Sequence, residues 1–351
     1  MQKPGVRLAA VVAALAALSV AASAQMSIPR APAAGESHLV NLRQLTTEGT
    51  QAEAYFSRDG QWITFQSTRG DHPCDQQFVM RTNGTEMRRV SPAGGKTTCG
   101  WFLPDGHRLL FGSTHATGDA CPPRPDPSKG YVWGLDPFDI YTASTDGTDL
   151  RRLTNFGVYT AEGVLSPDGK RIVFTSLKDG DLEIYTMGVD GSDVRRLTRA
   201  PGYDGGPWWS PDGTKIVYRA YHPTEAAELK DYQDLLAQRI VRPSRMELWV
   251  MNADGSEQRQ ITHLGGANFG PSWTPDGKAI IFSSNYKNPR GSNFDLYVVS
   301  LDGTGLTQIT DDEGFDGFPM FSPDGTKLIW GAGRFATSER DVNLFIADWR
   351  P

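Results

Sequence analysis

Hydrophobic residues in this chain come in short runs rich in β-branched and aromatic side chains, separated by turns bearing Gly, Pro and Asp. Residues 170–174, Lys-Arg-Ile-Val-Phe, have the composition of a strand, and most other runs resemble them. The turns between them repeat. A Ser-Pro-Asp-Gly motif places its Asp at positions 59, 105, 168, 212, 276 and 324, with departures only at Arg58, Leu103 and Thr274. Three residues before each Asp stands Phe56, Phe102, Leu165, Trp209, Trp273 or Phe321; six residues after it stands Phe65, Phe111, Phe174, Tyr218, Phe282 or Trp330. Pro and Asp-Gly supply the reversal between two such strands. A third strand carries Phe78, Tyr141, Tyr185, Trp249, Tyr297 or Phe345. In five copies a further Asn-Gly or Asp-Gly turn leads to a fourth strand, such as the one ending Arg195-Arg196-Leu197-Thr198.

Four strands at a period of about 45 residues predict a β-propeller blade, which buries both its faces only by stacking on its neighbours. Six copies predict an all-β, six-bladed ring. The last copy stops after three strands, whereas Leu42-Arg43-Gln44-Leu45-Thr46 reads as an unpartnered fourth strand. The N-terminal strand is therefore expected to complete the last blade and close the ring. Two copies are stretched between their second and third strands. The insert of blade 2, residues 115–138, is Pro-rich and is expected to form a rigid lid or rim. That of blade 4 is expected to hold a helix over residues 225–241, with Thr224 as N-cap and Leu229, Tyr232, Leu236 and Ile240 along one face.

Composition agrees with a turn-rich globular chain: 38 Gly and 23 Pro in 351 residues, with 22% charged. The net charge of −6 argues against non-specific nucleic-acid binding. Lys3 and Arg7, then an uncharged apolar stretch over residues 8–20, then Ala22-Ser23-Ala24, form the pattern of a secretory signal. The expected organisation is a signal peptide (1–24) removed after Ala24, a flexible leader (25–41) and a propeller (42–351). The product would be periplasmic or secreted, not membrane-spanning, and monomeric. Export favours disulfides. Cys74, Cys99 and Cys121 predict one bridge and one remaining thiol, with Cys99–Cys121 the first choice.

The stretch LTRAPGYDGGPWWSPDGTKIVYRA, followed by LWVMNADGSEQRQIT, resembles the WD40-like repeat of the TolB family, the periplasmic propellers of the Tol–Pal system. The resemblance covers residues 42–351 and implies the propeller fold and a link to that envelope system. The TolB propeller is preceded by an N-terminal α/β domain, for which no counterpart is expected in the roughly 17 residues between the expected signal and the first strand. Prolyl-oligopeptidase-type peptidases share the repeat, but this chain carries no G-x-S-x-G. Oligogalacturonate lyases resemble it more distantly and imply a metal held by several His, whereas only six His occur, unclustered in sequence.

The hairpin geometry puts the start of each innermost strand and the end of the second strand on one face, together with both inserts. Eight residues before the turn Asp stand Gln51, Thr97, Thr160, Asp204, Asn268 and Asp316. Two residues further come Glu53, Cys99 and Glu162, and ten after the Asp come Arg69, His115, Lys178, His222, Tyr286 and Arg334. These predict a polar channel mouth that binds a protein, peptide or glycan without catalysis. The alternative is a hydrolase or lyase using Glu53, Glu162, Asp204, Asp316, His115 and His222. No cofactor is expected. A Ca or Mn ion among the four carboxylates is a subordinate expectation, supported by neither a D-x-D-x-D-G loop nor an H-E-x-x-H motif.

Overall fold

The computed structural model describes residues 27–336, 338 and 341–351. Six antiparallel blades surround a central channel, the first five running from an inner to an outer strand in chain order. Blade 3 is representative, with strands Thr160–Leu165, Arg171–Ser176, Glu183–Gly188 and Arg195–Arg196. Its first turn shows why Ser-Pro-Asp-Gly recurs. Ser166 Oγ donates to Asp168 Oδ1 (2.7 Å) and accepts from the Arg171 amide (3.0 Å), while Asp168 Oδ1 accepts from the Lys170 amide (3.1 Å). Gly169 sits at φ 73°, a conformation a side chain would disfavour. In blade 2, where Leu103 offers no hydroxyl, Asp105 takes the amides of His107 and Arg108 instead.

The aromatic positions of the repeat form the interblade core. Phe65 stacks on Phe78 at 5.8 Å and Phe174 on Tyr185 at 5.6 Å, all of them buried. Each such burial stabilises by about 1.5–3 kcal/mol. A hydroxyl at the end of each fourth strand locks the blade's third strand. Thr198 Oγ1 accepts from the Ile184 amide (2.9 Å), and Ser91, Thr154, Thr262, Thr310 and Thr46 repeat that bond.

The ring closes as the repeat count requires. Leu39–Gln44 pairs antiparallel with the third strand of blade 6, Asn343–Trp349. The stretch expected as a flexible leader is partly tied down: Ile28 and Pro29 pair with Gln44 and Arg43, and Glu36 is buried against Arg334. The expected signal segment, residues 1–24, lies outside the described residues. Among the described residues no helix is long and apolar enough to cross a membrane.

The two inserts meet. Trp133–Gly134 from blade 2 pairs with Ile240–Val241 from blade 4, forming a two-stranded ribbon. This corrects the helix expected over residues 225–241. Helix α1 spans Ala226–Leu236, starts at Glu225 without a side-chain cap, and buries Tyr232 and Leu235. Its continuation is prevented at Arg239, at φ 57°, and the ribbon then takes residues 240–241 as strand. The disulfide joins Cys74 to Cys121 and leaves Cys99 free and buried, which corrects the expected Cys99–Cys121 pairing. Cys99 belongs to the inner strand of blade 2, whereas Cys74 lies in a blade 1 loop that meets the insert carrying Cys121.

Candidate functional site

The polar residues eight before each turn Asp do not converge on the channel. All six are buried, and each is taken up locally beside its own blade's second strand. Thr160 bonds Ser176 (2.9 Å), Asn268 accepts from Ser284 (2.6 Å), and Gln51 donates to Ser67 (3.2 Å). Thr97 pairs across from Ser113. In blades 4 and 6 the facing serine is replaced by Ala220 and Ala332, and the residue is an acid. Asp204 pairs with His222 (Nε2 to Oδ1, 3.0 Å), and Asp316 with Arg334 (2.9 Å). Arg69 lies over Phe78, and His115 bonds Ser113 (2.9 Å) beside Tyr141, where burial lowers its pKa.

The cause is a β-bulge in every inner strand. The register shifts at Ala52/Tyr55, Thr98/Trp101, Ala161/Val164, Gly205/Trp208, Phe269/Ser272 and Gly317/Met320. A residue at positive φ sits in each: Glu53, Cys99, Glu162, Gly206, Gly270 and Phe318, all between 51° and 59°. The extra residue resets the alternation of sides. The residues six and four before the Asp therefore face the channel, and those eight before it face the seam between blades. Four of the six positive-φ residues are not glycine, a backbone cost of the kind held at sites where a side chain must be aimed.

The aimed side chains enclose a small chamber of about 40 Å³, lined by Glu53, Tyr55, Cys99, Glu162, Arg219 and Phe318. Arg219 pairs with Glu162, donates to Tyr203 Oη (3.0 Å) and lies under the Trp133 ring of the ribbon at 5.2 Å. Burial opposes its charge, but Glu162 and Tyr203 outweigh it and raise its pKa. Glu162 also accepts from the Gly206 amide at 2.9 Å. Glu53 has no such cation in contact; Tyr55 Oη donates to it at 3.3 Å. Burial, with Glu162 nearby, pushes its pKa up to about 7. The Cys99 thiol is held well above its usual range by burial and both carboxylates. Trp133 also meets Phe269 edge-on at 6.1 Å, so the ribbon links blades 4 and 5 across the chamber.

Below the chamber the channel is crossed by Tyr55, Trp101 and Trp208, mutually packed with ring centroids 4.9–5.5 Å apart. Beyond them a funnel of about 360 Å³ opens on the face of the Ser-Pro-Asp-Gly turns. Trp101, Trp208, Trp273, Met320 and Val164 line it, and Pro104, Pro167, Pro211, Pro275, Pro323 and Arg58 form its rim. This funnel is thus on the face opposite the inserts. Arg219 and the funnel aromatics were not among the expected site residues. Both left a signal. Arg219 is the single charge at a repeat position otherwise held by Gln66, Gly112, Thr175, Ser283 and Gly331. Four residues before the Asp stand Tyr55, Trp101, Val164, Trp208, Ser272 and Met320, bulky in five blades.

A sequence profile of the TolB beta propeller domain matches residues 135–240. The repeat is of the TolB type. A putative TolB from Agrobacterium tumefaciens superposes with a TM-score of 0.59 and 18% identity, over 86% of this chain and 91% of its own. A gluconolactonase from Xanthomonas campestris gives 0.61 and 14% over 93% and 98%. An oligogalacturonate lyase in complex with manganese gives 0.53 and 14% over 92% and 96%. At these identities the likeness establishes the TolB-like propeller fold alone. Comparison with curated proteins returned no match. Among the described residues no three His, Cys, Asp or Glu are grouped as a metal site. The chamber instead sets a guanidinium beside its carboxylates.

Proposed function

We propose that this TolB-like propeller is an exported binding protein that takes an apolar segment of a protein or peptide into the funnel on its turn-bearing face. The observation that carries this reading is the preformed indole-lined cavity of about 360 Å³ at the channel axis. Preformed, mostly apolar clefts of this size are the usual form of a ligand site. The insert-bearing face, where binding was first expected, holds the chamber of about 40 Å³ beneath the Trp133 ribbon and a pocket of about 310 Å³ against helix α1, lined by Glu228, Asp231, Tyr232 and Arg245 and without the indole wall of the funnel. Peptides selected from a random library against the mature chain test the reading. Their affinity should fall about 10–100-fold in Trp208→Ala and Met320→Lys, as for buried anchors of an interface. His115→Ala, near the opposite face, should leave it unchanged. Selected peptides indifferent to both funnel variants would sink the proposal. Export itself is checked by the intact mass of the periplasmic protein, which should begin at Gln25.

One observation favours a second reading. A buried carboxyl with a pKa near 7 beside Glu162 and Arg219 is suited to proton transfer. Catalysis there requires the ribbon to move, because the chamber has room for water but not for a sugar or lactone. Turnover of a glycan or lactone that is abolished by Glu53→Gln and retained in Trp208→Ala would favour it.

A further inference from the structure

The funnel is apolar inside, but the ring around it is charged. Each rim position is followed directly by the turn aspartate: Asp59, Asp105, Asp168, Asp212, Asp276 and Asp324, all exposed. Hydrogen bonds from Ser57, Ser166, Ser210, Thr274 and Ser322, and from backbone amides, hold five of them below the usual carboxylate range. The bonds that build the turns thus favour the ionised form of these five.

The acids of the neighbouring outer turns differ. Two of them are paired, Asp149 with Arg108 and Arg151, and Asp193 with Arg171 and Arg195, while Asp146, Asp190, Asp254 and Asp302 are held by hydroxyls and amides as in the inner ring. In the inner ring, Lys170 and Lys278 approach Asp168 and Asp276 only at 3.8 and 3.9 Å, and Arg58 stands on the rim. Six carboxylates therefore face Arg58, Lys170, Lys278 and, near Asp59, Arg81, around a mouth whose walls are low-dielectric. Such a mouth focuses a negative potential on its axis. At that axis lie Trp101 and Trp208, whose indole faces attract cations more strongly than other aromatic rings do.

Resting on the funnel reading above, we propose that the preferred occupant is a cationic apolar segment, an Arg or Lys side chain flanked by hydrophobic residues. The hydrophobic residues cover the funnel wall, and the cation lies over the indoles inside the aspartate ring. Arg58, which replaces the proline of the other five turns, puts a cation directly on the rim and opposes this occupant, as Lys170 and Lys278 do beside their aspartates.

The test uses the full mature chain and three fluorescent nine-residue peptides with a common Leu-Phe-Leu centre, flanked by Arg, by Ser or by Glu. Fluorescence anisotropy at low ionic strength should rank them Arg, Ser, Glu, with about tenfold between steps. The steps should shrink in about 0.5 M salt, where exposed charges are screened. Arg58→Pro, which copies the other blades, should tighten the Arg peptide. The triple change Asp105→Asn, Asp212→Asn, Asp324→Asn keeps the turn acceptors and should erase the ranking. If all three peptides bind equally and Met320→Lys releases them, the charge inference is overturned while the funnel reading stands. Tighter binding of the Glu peptide overturns it as well. If no peptide binds, both fall.

Discussion

Blades 4 and 6 carry the same departure from the repeat and resolve it differently. In both, an acid replaces the neutral polar residue that faces the seam, and an alanine replaces the serine opposite it. In both, the second-strand phenylalanine becomes an aromatic with a polar tip, Tyr218 or Trp330, and a basic residue follows, His222 or Arg334. In blade 6 the carboxylates are satisfied, although Arg334 Nε makes no hydrogen bond among the described residues and stands 3.8 Å from Asp312. Arg334 grips Asp316 (2.9 Å) and Glu36 (2.7 Å), and Trp330 Nε1 donates to Asp316 (2.8 Å). In blade 4 they are not. His222 bonds Asp204 Oδ1, but Asp204 Oδ2, Glu183 Oε2 and the Tyr218 hydroxyl make no hydrogen bond among the described residues. The permanent cation stands where the ring is closed by the N-terminal strand. The titratable one stands where the blade 4 insert leaves the sheet. Burying a carboxylate requires a compensating charge, and whether that charge can be titrated away decides how firmly the seam is held.

The largest effect should come from the permanent cation. Arg334→Ala leaves Asp316 and Glu36 buried side by side without it, and should cost about 3–5 kcal/mol in denaturant unfolding. A loss under about 1 kcal/mol would mean that the closing seam does not depend on the pair.

The chamber repeats the contrast, since Glu162 has the Arg219 cation while Glu53 has only neutral partners, the Tyr55 hydroxyl and the Cys99 thiol. A carboxyl whose folded pKa is raised to about 7 destabilises the fold as pH rises from about 4.5 to 7. Glu53→Gln should remove that loss. It should raise stability by about 1–3 kcal/mol at pH 8 and by almost nothing at pH 4.5. Equal gains at both pH values would show that the effect is packing and not charge.

The ring, its six blades and its closure were legible because each rests on a short-range signal repeated in register. The turn hydroxyl, the Asp-Gly reversal and the flanking aromatics each act within a few residues. The site was legible only in part, because a strand's alternation of sides was carried through a bulge that resets it. Glu53, Cys99 and Glu162 did face the channel, while Asp204, Asn268 and Asp316 turned into the seams. The disulfide and the end of helix α1 depend on how two inserts from different blades meet, and no local pattern encodes that meeting. Glu36 illustrates the same limit: its partner Arg334 lies 298 residues away in the chain.

The titratable seam gives a smaller effect with a definite sign. Burial disfavours a charge on His222, but Asp204, with Glu183 and Asp181 nearby, outweighs it and raises the imidazole pKa. Stability from a raised pKa is fully present below the unfolded-state value of about 6.5 and is lost as pH rises through the folded-state value. The gap in Tm between the natural chain and His222→Gln should therefore be widest near pH 5.5 and close at alkaline pH. Arg334→Gln should show a gap that stays open over the same range, because guanidinium does not titrate there. A gap for His222→Gln that widens with pH would reverse the assignment.

The smallest difference isolates the two polar aromatic tips. Trp330→Phe removes a buried donor from Asp316 and leaves a carboxylate oxygen poorer by one bond, at a cost of about 1–3 kcal/mol including lost packing. Tyr218→Phe removes a buried hydroxyl that has no partner among the described residues, so the loss of the group also removes its desolvation. Its effect should lie within about 0.5 kcal/mol of zero, or be slightly stabilising. Four other blades already place phenylalanine at this position, at Phe65, Phe111, Phe174 and Phe282. A cost for Tyr218→Phe as large as that for Trp330→Phe would mean that the hydroxyl is satisfied in solution, and the contrast between the two seams would then reduce to the choice of cation.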